Sequence, residues 1–293
     1  MRPDDWYLTD DVHGFLARAE GFLHARPALH TIPLTVTEAL RTRGAHAYGA
    51  GVPVFGVLER AGEVRAAFFQ TPPRRLNLTP LNPAEADALA VRLAGLGHAL
   101  PGVGADRDTA AAFAESWRRH TGVTTTLHER QRLYRLGALT PPEPRPEGRS
   151  RIAGEQDRDQ LLGWYAGFVA DIGGSAPEDA GSWVDTRIAH GRVTLWEDPD
   201  GVPVSMAGLT PMVAGQIRVA PVYTPAHLRG RGYAGAATAE VSRAALAAGA
   251  SDVLLFTDLA NPTSNGLYQR IGYRPVADFA VYDFRAGPMT SRR

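Results

Sequence analysis

The sequence contains no cysteine and no lysine among its 293 residues. The absence of cysteine excludes disulfide bonds, thiolate metal ligands and a cysteine nucleophile. The absence of lysine makes every basic residue an arginine, and the many Ala, Gly, Pro and Arg residues fit a GC-rich codon usage. Any site must therefore be built from other side chains and from the backbone.

The sequence also lacks an excess of either charge and any long apolar run. Lys+Arg and Asp+Glu both total 31, and this formal net charge of zero argues against a general nucleic-acid binder. No window approaches the roughly 20 apolar residues that would cross a bilayer. The acidic start MRPDDWYLTDDV does not resemble a signal peptide. We therefore expect a cytoplasmic protein whose partners include neither nucleic acid nor a membrane.

The chain is long enough for two domains, and a proline-rich segment divides it. Residues 141–149 read PPEPRPEGR, with four prolines and almost no apolar side chains. Such a segment is typical of an extended, solvated linker. We predict one domain over residues 1–140 and a second over residues 150–293.

Residues after this segment alternate between helical and strand patterns. Apolar residues recur at helical spacing after Gln156, and the apolar run at 252–257 is typical of a buried strand. The patterns predict helices over 156–171, 177–189, 232–248 and 262–271, and strands over 192–197, 202–209, 216–224, 252–257 and 275–284.

The first half of the sequence shows a similar order of patterns. They predict helices over 10–23, 35–43, 84–93 and 108–119, and strands over 52–59, 64–70, 75–79 and 124–136. The fragment FFQTPPRRL follows the first hairpin much as MAGLTPMVA follows the second. We infer a tandem duplication of one fold.

The most informative segment is RGRGYA, residues 229–234, which follows a predicted strand and opens a predicted helix. Gly230 and Gly232 let backbone N–H groups approach a ligand without an obstructing Cβ. The helix N-terminus favours an anion, and Arg229 and Arg231 add positive charge. The segment predicts a diphosphate site, and its alternative is a turn with two solvated arginines.

The identity of the diphosphate is a separate question, because Gly230-x-Gly232-x-x-Gly235 also matches the dinucleotide fingerprint, with Asp258 downstream. Residues 225–229 separate the strand from the first glycine, which that fingerprint does not allow. Two helices and a hairpin also precede the motif, and a second group of polar residues follows the next strand. An NAD(P)-dependent oxidoreductase is therefore the less favoured alternative.

That second group reads DLANPTSNGLYQRIGYRPV, residues 258–276. With the glycine-rich segment before it, the region resembles the GCN5-related N-acetyltransferase (GNAT) superfamily over residues 150–285. The family pattern is (Gln/Arg)-x-x-Gly-x-(Gly/Ala), then Asn, Tyr and Gly-Phe or Gly-Tyr after the next strand. The matching residues are Arg229, Gly232, Ala234, Asn261, Asn265, Tyr268, Gly272 and Tyr273. The resemblance implies an α/β fold of two tandem domains, each a mixed, mainly antiparallel sheet flanked by helices.

The resemblance also implies acetyl-CoA as co-substrate, and no metal. The pantetheine arm would lie like an added strand where the third and fourth strands of the domain diverge at a bulge. The residues implied to bind the arm and the pyrophosphate are Val222, Tyr223, Thr224, Arg229, Gly230, Arg231, Gly232, Tyr233, Ala234, Asn261, Ser264 and Asn265.

Two residues carry the implied catalytic chemistry. Tyr268 would protonate the departing thiolate, with a core aromatic as the alternative role. A backbone N–H near Val222 would stabilise the oxyanion. The strand over 216–224 contains no carboxylate to act as base. Asp258 could act through water, although organising the turn before Asn261 is the favoured role.

Other polar and aromatic residues carry weaker expectations. Glu197 and Asp198 lie beside a predicted hairpin turn and are expected to be solvated, and His190 and His227 are expected to be structural. Three aromatic residues on the first helix of the second domain either wall the acceptor site or pack in the core: Trp164, Tyr165 and Phe168.

The N-terminal half has Leu81-Asn82-Pro83-Ala84 where the second half has its glycine-rich loop. We therefore expect that this half has lost CoA binding and shapes the acceptor site. The leading hypothesis is an N-acetyltransferase that moves an acetyl group from acetyl-CoA to a primary amine of a small molecule or peptide. The alternative from another class is a non-catalytic acyl-CoA sensor.

Overall fold

The computed structural model describes residues 6–174 and 180–286. These residues form two compact units. Unit 1 contains the described residues up to 133, together with 256–260 and 276–286, and unit 2 contains the described residues of 134–255 and 261–275. Each unit therefore includes chain from both halves of the sequence, which differs from a linear division at residues 141–149.

The first half of the chain supplies ten elements, named here in chain order. They are β1 (Trp6–Thr9), α1 (Val12–His24), α2 (Thr31–Arg43), β2 (Val54–Arg60), β3 (Glu63–Gln70), β4 (Leu76–Leu78), α3 (Pro83–Gly95), β5 (Gly102–Asp106), α4 (Arg107–Thr121) and β6 (Thr124–Leu136).

The second half supplies β7 (Arg149–Ile152), α5 (Arg158–Asp171), α6 (Ala180–Ala189), β8 (Val193–Glu197), β9 (Pro203–Leu209), β10 (Gln216–Tyr223), α7 (Tyr233–Ala247), β11 (Asp252–Asp258), α8 (Pro262–Arg270) and β12 (Tyr273–Arg285). The start predicted for α6, at Pro177, lies outside the described residues. Among the described helices, none combines the length and the apolar character that crossing a bilayer requires.

The sheet of unit 1 runs in the order β1-β2-β3-β4-β5-β12. The β4–β5 pair is parallel, and the other neighbouring pairs are antiparallel. The final strand returns to unit 1, where residues 279–283 pair with β5. The buried core of the unit packs α3 and α4 against the sheet through Leu89, Phe113 and Trp117.

The sheet of unit 2 runs in the order β7-β8-β9-β10-β11, and its β10–β11 pair is parallel. The β7–β8, β8–β9 and β9–β10 pairs are antiparallel. Helix α7 buries Ala237, Val241 and Ala245 in the core, because these residues recur on one face at helical spacing. Small side chains at these positions let the helix approach the strands closely.

The predicted α/β fold with mixed sheets is confirmed. The two halves also share one order of elements: strand, two helices, three strands, helix, strand, helix and strand. The sequence analysis did not predict three short strands, which are β1, β5 and β7. Strand β5 (GVGAD) contains two glycines, and β7 (RSRI) alternates charged and small residues, so neither has the apolar pattern that indicates a strand.

Glu197 corrects one expectation, because its carboxylate is buried instead of solvated. Strand β7 pairs with β8 and brings two arginines to it, Arg149 at 2.9 Å and Arg151 at 2.5 Å. Arg151 also holds Asp157 through two hydrogen bonds of 2.6 and 2.8 Å. Hydrogen bonds from Arg151 lower the pKa of both carboxyl groups below their usual values. The network ties β7 and the start of α5 to the edge of the sheet.

Replacing Arg151 with Met is expected to lower the free energy of unfolding by about 2 kcal/mol at about pH 7, because Asp157 loses its charged partner. A carboxyl group whose pKa is lowered on folding stabilises the fold above its unfolded pKa. That stabilisation is lost as the pH falls through the lowered pKa. The difference between variant and wild type should therefore shrink as the pH falls below the usual carboxyl pKa of about 4, as urea unfolding at neutral and at acid pH would measure.

The matched control is Arg158→Met, which breaks the exposed Arg158–Asp185 pair instead. Exposed pairs contribute little to stability, so this variant should unfold close to the wild type at both pH values. Equal losses for the two variants would contradict the stabilising role of Arg151.

Candidate functional site

Strands β10 and β11 separate partway along their length. They pair in parallel at residues 216–218 and 252–254, and no pairing within the described chain continues this ladder. Strand β10 runs on to Tyr223, so its last five residues leave β11. A gap therefore opens beside β10, with backbone N–H and C=O groups along its edge.

A β-bulge bends β10 where the gap opens. On its other side β10 pairs with β9, and the register shifts between Val219, opposite Leu209, and Val222, opposite Ala207. Ala220 and Pro221 of β10 thus lie opposite the single residue Gly208 of β9, and Pro221 has no N–H to donate. After the bulge, Val222 and Tyr223 pair again with β9. The divergence and the bulge that the sequence analysis expects are both present.

The loop after β10 ends in a helix N-terminus without a side-chain cap. A 3₁₀ turn at Ala226–Leu228 leads to Gly230 (φ +78°) and Gly232 (φ +83°), and α7 begins at Tyr233. Both glycines have left-handed backbone that other residues adopt at a cost. Gly232 occupies the N-cap position and has no side chain with which to satisfy the first-turn N–H groups. Unpaired N–H groups and the dipole at a helix N-terminus favour an anion.

The two arginines of this loop have different surroundings. The Arg229 Nε donates to the Thr224 carbonyl at 2.9 Å, and its Nη2 forms an ion pair with Asp171 at the end of α5. Its guanidinium therefore braces the loop against α5. Arg231 is exposed beside the α7 N-terminus. Of the two, Arg231 is the one placed to add charge to a bound anion.

Helix α8 packs closely against α7 on the other side of the loop. A Cβ built on Gly235 would lie 2.9 Å from Leu267 Cδ1, so the glycine lets the Leu267 side chain pack directly on α7. The N-cap of α8 is Asn261, whose side chain accepts from the Ser264 N–H at 3.0 Å. Asn265 Nδ2 donates to the Asn261 carbonyl at 2.7 Å. Within the protein, both Asn side chains thus order the start of α8, and their contacts with a pantetheine arm stay a prediction.

Tyr134 is a residue of this region that the sequence analysis missed. It lies at the end of β6, is fully buried in unit 2, and donates from its hydroxyl to Asn265 Oδ1 at 2.9 Å. Gln269 Nε2 in turn donates to the Tyr134 hydroxyl at 3.0 Å. Tyr134 therefore fixes the first and last turns of α8. Its partners are 131 and 135 residues away in the sequence, so no local pattern could indicate them.

If acetyl-CoA is the co-substrate, as the sequence resemblance implies, replacing Tyr134 with Phe is expected to raise its KM several-fold while kcat changes less, because α8 loses a buried hydrogen-bonded brace. Stability should fall by about 1 kcal/mol. Steady-state kinetics at saturating acceptor would separate the two constants. Tyr282→Phe on β12 is the control, and an equal rise in KM there would argue against the brace.

Tyr268 lies on α8 with only 8% of its surface exposed. Burial raises the pKa of its hydroxyl to about 12, so the hydroxyl keeps its proton at neutral pH. Its ring meets the Tyr273 ring edge-on, with 6.1 Å between centroids. Tyr273 differs in that its hydroxyl is bonded to Ser242 at 2.7 Å, whereas the Tyr268 hydroxyl has no hydrogen-bond partner in the described chain. Tyr268 is thus a protonated donor that the fold itself does not use.

The remaining candidate residues have mainly structural contacts. Asp258, in unit 1, accepts from the Ala260 N–H at 2.8 Å and so organises the turn before α8. His190 contacts the Thr186 carbonyl at 2.7 Å. Trp164 is buried against Tyr223, with ring centroids 6.3 Å apart. The described residues contain no cluster of three or more acidic or histidine side chains that could hold a metal ion.

Comparison with known proteins gives one family and many structures. Residues 149–273 match a family model described as the acetyltransferase (GNAT) family. Solved structures similar to the whole chain include a GCN5-related N-acetyltransferase from Sphaerobacter thermophilus, 18% identical with a TM-score of 0.61, over 98% of this chain and 97% of that one. An acetyltransferase from the GNAT family of Colwellia psychrerythraea is 11% identical with a TM-score of 0.60, over 96% and 99%.

A third similar structure is a fungal GCN5-related glucosamine N-acetyltransferase region in a multi-domain GH3 β-N-acetylglucosaminidase. It is 10% identical with a TM-score of 0.57, over 94% of this chain and 38% of that one. A search of the curated proteins finds no match. The structural likenesses extend over nearly the whole chain, well beyond the segment that the family model covers, and at these identities they establish its fold.

Proposed function

We propose that this chain, whose residues 149–273 match the acetyltransferase (GNAT) family model, is an acyltransferase that moves an acetyl group from acetyl-CoA to a primary amine. The observation that carries the proposal is the uncapped N-terminus of α7 beside the gap between β10 and β11. An anion site and an unpaired strand edge in one place suit a ligand that has a diphosphate and an extended amide chain.

Most of the hydrogen bonds to acetyl-CoA would come from backbone groups of the protein. Its diphosphate would accept hydrogen bonds from the N–H groups of residues 230–234, with Arg231 adding charge. The two amides of the pantetheine arm would bond the edge of β10 at Val222 to Thr224, as an added strand does. The thioester would then lie near the bulge.

The chemistry would proceed by direct attack in a ternary complex. The amine nitrogen forms a bond to the thioester carbonyl carbon, and the carbonyl oxygen becomes an oxyanion that the Val222 N–H would stabilise. When the C–S bond breaks, the Tyr268 hydroxyl would give its proton to the CoA sulfur. The amine loses one proton to solvent, because β10 contains no carboxylate and Asp258 is engaged in a turn. Water then returns a proton to Tyr268.

Unit 1 would not bind CoA, because its corresponding helix N-terminus is already occupied. Helix α3 has a capping box, in which Asn82 accepts from the Glu85 N–H and Glu85 accepts from the Asn82 N–H, both at 2.9 Å. The Glu85 carboxylate is fully buried there. An internal anion thus takes the place where a diphosphate would lie.

The test is a turnover screen with the full-length protein, acetyl-CoA and a panel of amines. The panel includes amino acids, peptides, aminoglycosides and glucosamine, the last because one similar structure is named for it. Mass spectrometry should find one amine heavier by an acetyl group, with release of an equal amount of CoA. Acetyl-CoA binding without any acetylated product would instead favour a non-catalytic sensor. Stabilisation by NAD(P) and not by acetyl-CoA would overturn the proposal.

A further inference from the structure

A cavity that opens to solvent lies inside unit 1. It is located where β4 and β5 separate, because these strands pair only at residues 76–77 and 103–104. Its walls come from α1, from the chain at the start of α2, and from strands β3, β4, β5, β6 and β12. The cavity is therefore a feature of the fold of this unit, and none of the residues proposed to bind acetyl-CoA lines it.

The walls of the cavity are mostly apolar. Phe15, Phe68 and Phe69 line it and are almost fully buried, whereas Leu29 and Ile32 are only half-buried. Walls of this kind favour a ligand with an apolar ring or a branched chain. The half-exposed aliphatic residues allow such a ligand to enter from solvent.

One charged group breaks the apolar lining. Among the described residues that line the cavity, Asp106 is the only one with an ionisable side chain. Its Oδ1 accepts from the Thr109 N–H at 3.2 Å and caps α4, but its Oδ2 is buried without a hydrogen-bond partner. Arg107, the next residue, pairs with Asp108 instead, at 3.0 Å. No ion pair with another described residue neutralises this carboxylate, so a ligand that supplies a cation gains by pairing with it.

The charge of the lining excludes several ligand classes. No arginine or histidine lines the cavity among the described residues, so a phosphate or a carboxylate would meet only Asp106 and be repelled. The same argument excludes CoA, which the buried Glu85 on α3 also disfavours. A cation with an apolar body complements both the walls and the carboxylate.

We propose that unit 1 contains a second ligand site, which binds a small apolar primary amine in this cavity with the ammonium group on Asp106. The ammonium pairs with the Asp106 carboxylate, and the apolar body of the amine packs among the phenylalanines. The proposal concerns binding and does not depend on the transferase activity of the other unit.

The experiment is calorimetric titration of the full-length protein with three probes of one shape: phenethylamine, 2-phenylethanol and phenylacetate. We expect phenethylamine to bind, 2-phenylethanol to bind at least about tenfold more weakly, and phenylacetate not to bind. Absence of phenethylamine binding, or equal binding of phenylacetate, would overturn the proposal.

Two variants test whether phenethylamine binds in this cavity. Asp106→Asn removes the charge but keeps a residue that caps helices equally well, so α4 should stay intact. Gly104→Val fills the cavity: a Cβ there would lie 3.7 Å from Asn77 and 3.9 Å from Val281, which also line the space. Each variant should bind phenethylamine at least about tenfold more weakly, with unchanged circular dichroism. Phenethylamine binding at wild-type strength to either folded variant would contradict the assigned site.

Discussion

Replacing Tyr268 with Phe is expected to lower kcat for acetyl transfer by about 10²-fold or more, because the departing thiolate loses a positioned acid. The dissociation constant for acetyl-CoA should stay nearly unchanged, since the ring and its packing remain. Burial keeps the hydroxyl protonated by raising its pKa to about 12, so the acid form should persist across the neutral range. Stopped-flow or steady-state turnover and calorimetric binding would measure the two constants.

The matched control is Tyr273→Phe, which removes the neighbouring hydroxyl from a ring whose centroid lies 6.1 Å away. That hydroxyl is bonded to Ser242 in the core, so its loss should cost about 1 kcal/mol of stability and leave kcat within a few-fold of wild type. If both variants lost the same activity, the effect would come from packing and the acid assignment would fail.

Replacing Gly232 with Val is expected to weaken acetyl-CoA binding by at least about 100-fold. The residue has φ +83°, which is strained for a β-branched side chain, and its backbone leads into the first turn of α7. A change of that backbone would turn the N–H groups away from the diphosphate, and the added methyl groups would stand where the phosphates approach. Titration with acetyl-CoA and with CoA would measure the loss.

The control for strain is Gly249→Val, at the opposite end of α7. Gly249 has φ +89° and no atom within 4 Å of its Cβ position, so Val there brings comparable strain without touching the loop. Both variants should have a lower melting temperature than the wild type, but only Gly232→Val should lose acetyl-CoA binding. Loss of binding in both would mean that general destabilisation, and not the loop, explains the effect.

The sequence predicted most of the elements that build the site, because their signals are local. The glycines at 230 and 232 and the helical spacing after them indicated a strand, loop and helix in the order observed. The alternation around residues 202–224 indicated the strands of the bulge. The bulge itself, between Val219 and Val222, depends on pairing with β9 and could be expected only from the family resemblance.

What the sequence did not predict depends on contacts between distant residues. Glu197 beside a turn looked solvated, but β7, a strand with no apolar pattern, adds Arg149 and Arg151 to it. Tyr134 lies at the end of a strand in the first half and bonds Asn265 on α8. The return of β12 to β5 likewise joins residues near 280 to residues near 104. None of these pairings produces a pattern among residues that are close in the sequence.

The central claim is that acetyl-CoA binds once per chain, at the N-terminus of α7. Calorimetric titration of the full-length protein with acetyl-CoA tests it directly, because unit 1 has its equivalent helix end closed by Asn82 and Glu85. We predict one molar equivalent bound by the wild type and none detected with Gly232→Val. Two equivalents, no binding at all, or undiminished binding to Gly232→Val would contradict the account.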